Sequence, residues 1–202
     1  MLLLETTHLY NSGMAFEDYK SKDSIVVVYT GDGKGKTSAG LGLLVRALGT
    51  RWNVAFIQFI KHWGVGEHVF IRDIMPLYKD QLHFFKGGKG FYNLGEISAE
   101  FVTPEQHRQA AEETYQEALG CVKSGKYDLV ICDEINNAVH DGLLTETQLK
   151  KLITGKASNT SLCLTGRNFP QQLLPLADIA TNMSKVKHHF DQKFLANKGI
   201  DF

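Results

Sequence analysis

The chain has 202 residues, of which 43% are hydrophobic, and its 22 Lys and Arg residues balance 22 Asp and Glu residues. This length predicts one domain with a sizeable core. The balanced charge argues against a broad nucleic-acid-binding surface and a basic membrane-binding patch, so we expect neither partner.

The N-terminus and the cysteines indicate the compartment. The sequence begins Met1-Leu2-Leu3-Leu4-Glu5, without a cationic region and with too short an apolar run for a secretory signal. No later segment approaches membrane-spanning length. The three cysteines lie within apolar patterns and not at metal-ligand spacing, as expected for reduced core residues: Cys121, Cys132 and Cys163. These features predict a cytoplasmic protein.

A phosphate-binding loop follows an N-terminal arm. Residues 1–23 are polar and weakly periodic, which predicts an arm that packs on a partner or stays mobile, ahead of a P-loop domain over residues 24–202. The apolar run Ile25–Val28 predicts a strand, and the loop reads Gly31-Asp32-Gly33-Lys34-Gly35-Lys36-Thr37-Ser38. Lys36 is the candidate phosphate-binding lysine, and Thr37 the candidate Mg²⁺ ligand. The first glycine comes one residue later than in the usual eight-residue motif, which should change the path of the phosphates.

Helical and strand-like patterns alternate along the rest of the chain. They predict, in order, a helix over Ala39–Gly49, a strand over Asn53–Ile60, a helix over Glu67–Tyr78, a strand over Leu82–Phe85, a helix from the Thr103 cap to Ser124, a strand over Tyr127–Glu134, a helix from the Thr145 cap to Thr154, a strand over Ser161–Thr165, a short helix over Pro170–Leu176 and a strand over Ile179–Met183. This alternation predicts an α/β fold with a mostly parallel six-stranded sheet and helices on both faces.

Two carboxylates end the predicted strand over Tyr127–Glu134. Asp133 and Glu134 are placed to bind Mg²⁺ together with Thr37, directly or through water. The pattern does not decide which carboxylate contacts the metal. Without a phosphate-binding loop, the same pair would more often be a solvated turn.

Two arginines and a glycine-rich segment are further candidates. Arg167 follows the fifth strand, where its guanidinium either grips phosphate or caps a surface turn. Arg46 lies on an apolar helix and either finds a buried partner or extends outward. Gly87–Gly95 predicts a flexible lid, in which Phe91 and Tyr92 cover a flat ligand or contact a partner protein.

The chain resembles the P-loop family of ATP:corrinoid adenosyltransferases from Ser24 to Phe202. The motifs that carry the resemblance are the shortened loop Gly31–Thr37, Phe56–Lys61, Lys126–Asn136, Leu164–Asn168, Val186–Asp191 and Gly199–Phe202. The resemblance implies a RecA-like P-loop fold. It also implies that cobalt(I) of a corrinoid attacks the 5′ carbon of ATP and expels triphosphate, in adenosylcobalamin synthesis or salvage.

The resemblance further implies roles for individual residues. Residues Gly31 through Ser38, with Arg46 and Arg167, would bind ATP, and Thr37 and Glu134 would bind Mg²⁺ or Mn²⁺, with Asp133 beside them. Lys36, Thr37 and Glu134 would be the catalytic residues. The corrinoid would contact Phe91, Tyr92 and Asn93. The expected assembly is a homodimer that receives electrons from a flavoprotein or another reductase.

Two positions depart from the family pattern. The corrinoid-covering stretch reads Gly90-Phe91-Tyr92-Asn93, where the family typically has Gly-Phe-x-Trp. Asn182 stands where an acidic residue is common. These changes bear on corrinoid preference more than on ATP binding.

Two other functions fit the loop and the carboxylates: a RecA-like ATPase or nucleotide kinase, which would release phosphate or ADP, and a sensor that binds both ligands without turnover.

Overall fold

The structure, a computed structural model, describes residues 18–61, 64–90 and 102–202. In chain order the elements of these ranges are β1 (Val26–Thr30), α1 (Lys36–Gly49), β2 (Val54–Gln58), α2 (Gly66–Ile74), β3 (Leu82–Lys86), α3 (Pro104–Lys123), β4 (Leu129–Asp133), α4 (Ile135–His140), α5 (Glu146–Thr154), β5 (Ser161–Thr165) and β6 (Ile179–Asn182), with short 3₁₀ helices over Gln171–Leu176 and His189–Gln192. The six strands form one sheet in the order β3-β2-β4-β5-β1-β6. All five pairings are parallel, which confirms the predicted α/β fold of the RecA-like P-loop kind.

Helices cover both faces of the sheet. Successive strand residues point to opposite faces, so Ile57 packs in one apolar cluster with α3, α4 and α5, whereas its neighbour Phe56 packs in the other with α1 and α2. Central strands β2, β4 and β5 are buried at every position. Edge strand β6 is exposed at all four residues. The continuous apolar runs in the sequence therefore mark the strands buried on both faces.

The N-terminal ends of two helices form as the sequence predicts. The Thr103 side chain accepts a hydrogen bond from the Gln106 backbone N–H, and the Gln106 side chain accepts one from the Thr103 backbone N–H. Thr145 and Gln148 make the same reciprocal pair at the start of α5. Each capping box satisfies two backbone N–H groups that the first helical turn would leave unpaired.

Several boundaries differ from the predictions. Helix α2 ends at Ile74 rather than Tyr78, and the predicted helix over Pro170–Leu176 is a 3₁₀ helix. Helix α4 was not predicted, because a helix of six residues is too short to show a period. The chain turns from β4 into α4 at Glu134, which has a left-handed backbone with φ of 64°.

Helix α1 is less buried than its apolar sequence predicts. Val45 is 58% exposed. A Cβ on Gly40 would lie 3.5 Å from Ile131 and Thr165, so Gly40 faces the sheet, whereas a Cβ on Gly42 would meet nothing within 4 Å. Close approach of α1 to the sheet therefore explains why Gly40 is a glycine, but it does not explain Gly42.

None of the helices in the described ranges has the length and apolar composition needed to cross a bilayer.

We predict that Gly42→Ala stabilises the protein by about 0.5–1 kcal/mol, because alanine restricts the unfolded chain and meets no obstacle in α1. Urea unfolding of the variant and wild type measures the difference. The matched control is Gly88→Ala, whose Cβ would lie 2.2 Å from the Ile60 carbonyl carbon and should destabilise the protein. Lower stability of Gly42→Ala would contradict the packing of α1.

Candidate active site

Several of the predicted functional side chains lie together at one edge of the sheet. Because all the strands are parallel, the segments that follow β1, β2, β4 and β5 share this edge. They carry the phosphate loop, Lys61, the pair Asp133 and Glu134, and Arg167. The structure thus brings together residues that lie more than 130 positions apart in sequence.

The phosphate loop curls around the ammonium of Lys36. Lys36 Nζ donates hydrogen bonds to the carbonyl oxygens of Gly31 at 2.8 Å and Gly33 at 2.6 Å. Gly31 and Gly35 have φ of 101° and 106°, which favours glycine at both positions. Burial lowers the pKa of Lys36, and the nearby Glu134 carboxylate opposes this effect. The loop therefore holds one buried cation at the N-terminal end of α1.

The glycines of the loop also pack against the segment that follows β6. The Gly33 N–H donates to the Met183 carbonyl at 2.6 Å. A Cβ on Gly31 would lie 2.1 Å from Asn182 Oδ1, and a Cβ on Gly33 would lie 2.6 Å from the Met183 oxygen. Asn182, a departure from the family pattern, thus lies directly against the phosphate loop.

Asp133 is fully buried and tied to three other elements. Thr165 Oγ1 on β5 donates to Asp133 Oδ1 at 2.7 Å. Gln58 Nε2 on β2 donates to Asp133 Oδ2 at 2.9 Å, and Thr37 Oγ1 on α1 donates to the same oxygen at 3.3 Å. His68 shares a hydrogen bond with Gln58 Oε1 and so orients the amide. The Asp133 carboxylate is thereby committed to the protein framework.

Glu134 differs from its neighbour. Its backbone N–H donates to Thr165 Oγ1 at 3.0 Å, but within the described residues its carboxylate accepts no hydrogen bond. Burial, and next the charge of Asp133, raise the pKa of Glu134 to about 7, although Lys61, Lys36 and Arg167 act in the opposite direction. A carboxylate in this position is free to take an additional cation.

Lys61 and Glu67 add an ion pair that the sequence did not single out. Lys61 Nζ lies 2.8 Å from Glu67 Oε1, 3.3 Å from Thr37 Oγ1 and 3.6 Å from Asp133 Oδ2. Burial alone would lower the pKa of Lys61, but Asp133 and Glu67 outweigh it, and the pKa lies above its ordinary value. The site therefore contains a second ammonium, which is partly buried.

Two asparagines after Glu134 support the loop that carries Arg167. Asn136 Nδ2 donates to the Gly166 carbonyl at 3.1 Å, and Asn137 Oδ1 accepts from the Arg167 N–H at 2.6 Å. Gly166 has φ of 124°, and a Cβ there would lie 2.7 Å from Asn137 Oδ1. The exposed Arg167 is thus held at the site through its backbone.

The other predicted ATP-binding residues lie at different distances from Lys36. Asp32 and Ser38 are exposed on the loop and the first turn of α1. Lys34 Nζ pairs with Asp201 Oδ1 at 2.7 Å, so the C-terminal turn reaches the loop. The structure does not bring Arg46 to the loop, since it lies in the last turn of α1, about 15 Å along the axis from Lys36. Its role in ATP binding stays a prediction.

The predicted lid is only partly described. Gly87 and Gly90 donate backbone hydrogen bonds to Gln58 at 3.1 Å and Ile60 at 2.8 Å. A Cβ on Gly87 would lie 1.7 Å from Thr114 Oγ1, so this glycine serves close packing and not the predicted mobility. The candidate corrinoid residues lie outside the described residues: Phe91, Tyr92 and Asn93. The three cysteines are free and buried, as predicted.

Sequence reasoning missed the polar residues that hold the carboxylates in place. In the sequence these residues are part of a predicted strand, loop and helix, and nothing there marks them as functional: Gln58, Lys61, Glu67 and His68. Their importance comes from contacts across the sheet. The available signal was the resemblance through Phe56–Lys61 and Lys126–Asn136, which contains Gln58, Lys61 and Asn136.

Comparison with known proteins agrees with the geometry. Residues 22–202 match the family described as ATP:corrinoid adenosyltransferase BtuR/CobO/CobP. A corrinoid adenosyltransferase of Sinorhizobium sp. is 30% identical over 182 residues, covering 88% of this chain and 80% of the relative. Those of Pseudomonas aeruginosa and Escherichia coli K12 are each 29% identical, covering 91% and 88% of this chain and 86% and 85% of the relatives. The chain belongs to the ATP:corrinoid adenosyltransferase family.

Proposed function

We propose that the protein transfers the 5′-deoxyadenosyl group of ATP to the cobalt(I) of a corrinoid and releases inorganic triphosphate. The observation that carries this proposal is the position of the Glu134 carboxylate, which has no hydrogen-bond partner in the described part of the chain and lies among the charges of Lys36, Lys61 and Arg167. This arrangement suits a triphosphate with a divalent cation. Family membership supplies the corrinoid as the acceptor.

The reaction is a nucleophilic substitution at carbon. The cobalt(I) electron pair forms the cobalt–carbon bond while the bond from C5′ to the triphosphate oxygen breaks, and triphosphate leaves with that bond's electron pair. Cobalt is formally oxidised from cobalt(I) to cobalt(III), and no proton needs to be abstracted. The protein must align the two substrates and stabilise charge on the leaving group. Lys36 would serve the second task.

The residues present fit a divalent cation. Thr37 offers a hydroxyl oxygen and Glu134 an uncommitted carboxylate, which are the hard oxygen ligands that Mg²⁺ prefers. Bound there, Mg²⁺ would neutralise part of the triphosphate charge. We assign Glu134 as the direct ligand, because the oxygens of Asp133 already accept bonds from Thr165, Gln58 and Thr37. Asp133 would instead orient the Thr37 hydroxyl.

The remaining parts of the proposal rest on family membership and, for the location and the N-terminal arm, on the sequence. Phe91, Tyr92 and Asn93 would contact the corrinoid. The protein would act as a homodimer in the cytoplasm, with residues 1–23 as an arm outside the catalytic domain. A flavoprotein or another reductase would supply the electrons that make cobalt(I).

Product analysis tests the proposed function. The protein is incubated anaerobically with Mg²⁺, ATP and chemically reduced cobalamin, and the nucleotide products are separated by chromatography. We expect equal amounts of adenosylated corrinoid and triphosphate. Release of ADP or phosphate without a cobalt–carbon bond would instead indicate an ATPase or kinase, and binding of both substrates without product would indicate a sensor.

We predict that Lys36→Ala lowers adenosyl transfer by about 10²-fold or more, because the loop loses its buried cation. Lys34 is exposed and paired with Asp201, so it should compensate only weakly. Single-turnover rates and ATP titrations measure the effect, with the exposed Lys79→Ala as the charge-matched control. Wild-type ATP affinity and rate in Lys36→Ala would contradict the role of the loop.

We predict that Glu134→Gln raises the Mg²⁺ concentration for half-maximal activity more than Asp133→Asn does, because only the first change removes a direct ligand in our assignment. Metal titrations at saturating ATP measure both. Asp133→Asn should mainly lower thermal stability, since it disturbs a buried hydrogen-bond network. The reverse order of metal requirements would assign the ligand to Asp133.

The raised pKa of Glu134 predicts a pH-dependent stability. Glu134 has a folded pKa of about 7 against an ordinary value of 4.5, so between these values the folded protein holds a proton that the unfolded chain releases. Stability from this group is therefore lost as pH rises through that window. Without metal or nucleotide, the melting temperature of wild type should fall relative to that of Glu134→Gln from about pH 5 to about pH 7.5. Parallel curves would show that Glu134 is ionised throughout.

A further inference from the structure

The partly buried ammonium of Lys61 lies beside the Thr37 hydroxyl. The ammonium of Lys61 donates to Glu67 Oε1 at 2.8 Å and to Thr37 Oγ1 at 3.3 Å, and it lies 3.6 Å from Asp133 Oδ2. The side chains of Lys61, Glu67 and Asp133 are only 17%, 12% and 0% exposed. Two carboxylates buried to this degree need a compensating positive charge.

The contact between Lys61 and Thr37 uses the hydroxyl oxygen that a metal ion would need. The Thr37 hydroxyl donates its proton to Asp133 Oδ2, and its oxygen accepts from Lys61. A divalent ion at the usual distance of about 2.1 Å from Thr37 Oγ1 would lie no more than about 5.4 Å from Lys61 Nζ, because the two protein atoms are 3.3 Å apart. The two cations would then repel each other at short range.

We propose that Lys61 exchanges with the divalent cation at Thr37. Without the ion, its ammonium neutralises Asp133 and Glu67 beside the Thr37 hydroxyl, and it leaves Thr37 when the metal binds. This inference rests on the proposed function, since it concerns the metal that the reaction uses. Lys61 acts through the metal site and is therefore a positioning residue.

Glu67 gives the displaced lysine a second anchor. Glu67 lies in the first turn of α2, whereas Thr37 and Asp133 belong to α1 and β4. Of the contacts that Lys61 Nζ makes with Glu67, Thr37 and Asp133, the one with Glu67 is the shortest, at 2.8 Å. The long lysine stem can keep this bond while the ammonium moves away from Thr37. The exchange therefore needs no movement of the sheet.

Metal binding to the nucleotide-free protein tests the exchange. Free Mn²⁺ is followed by electron paramagnetic resonance during titration of wild type, Lys61→Met, Lys61→Arg and the exposed control Lys79→Met. We expect Lys61→Met to bind Mn²⁺ about tenfold or more tightly, because a like charge leaves the site and two carboxylates lose their partner. Lys61→Arg and Lys79→Met should resemble wild type. Unchanged or weaker binding by Lys61→Met would overturn the proposal.

Lysine labelling provides a second measurement on the wild-type protein, in case Lys61→Met does not fold. Mass spectrometry follows acetylation of Lys61 and Lys79 with and without saturating Mn²⁺. We expect labelling of Lys61 to rise severalfold with the metal while Lys79 is unchanged. Equal labelling of Lys61 when Mn²⁺ is bound would overturn the exchange. Neither experiment contains ATP or corrinoid, so the proposed function fails separately, through absence of adenosylated product.

Discussion

The site depends on the hydrogen bonds that the buried carboxylate of Asp133 accepts. This carboxylate lies at the end of β4, and its two oxygens accept hydrogen bonds from side chains on β5, β2 and α1: Thr165, Gln58 and Thr37. A fully buried carboxylate is costly unless such bonds and a nearby cation satisfy it. These bonds fix the phosphate loop relative to the strands that carry Glu134 and Lys61.

Charge balance then gives the neighbouring groups different roles. Asp133 is committed to the framework, whereas burial, and next the charge of Asp133, raise the pKa of Glu134. Lys36 lies within the carbonyl oxygens of the loop, and Lys61 lies between Glu67 and Asp133. Asp133 is thus part of the framework, whereas the carboxylate of the next residue, Glu134, accepts no hydrogen bond from the described residues. The two lysines likewise have different partners, the loop carbonyl oxygens for Lys36 and carboxylates for Lys61.

The sequence predicts the fold well because its main features are local. Apolar runs, the Thr103 and Thr145 capping boxes, and the order of strand, loop and Lys36-Thr37 depend on neighbouring residues. The sequence could not show the contacts of Asp133 or the packing of Gly33 on Met183, since these join distant segments. It also could not show the pairing of Lys61 with Glu67, which depends on the relative positions of β2 and α2. For the same reason Gly87 resembled a flexible residue, although Thr114 leaves no space for a side chain there.

A crystal structure with Mg²⁺ and ATP, without corrinoid, tests the division of roles most directly. We expect the metal to bind Thr37 Oγ1 and a Glu134 oxygen at about 2.0–2.1 Å. We also expect Asp133 to keep its bonds to Thr165 and Gln58. A metal bound directly to Asp133, with Glu134 turned toward solvent, would contradict the account.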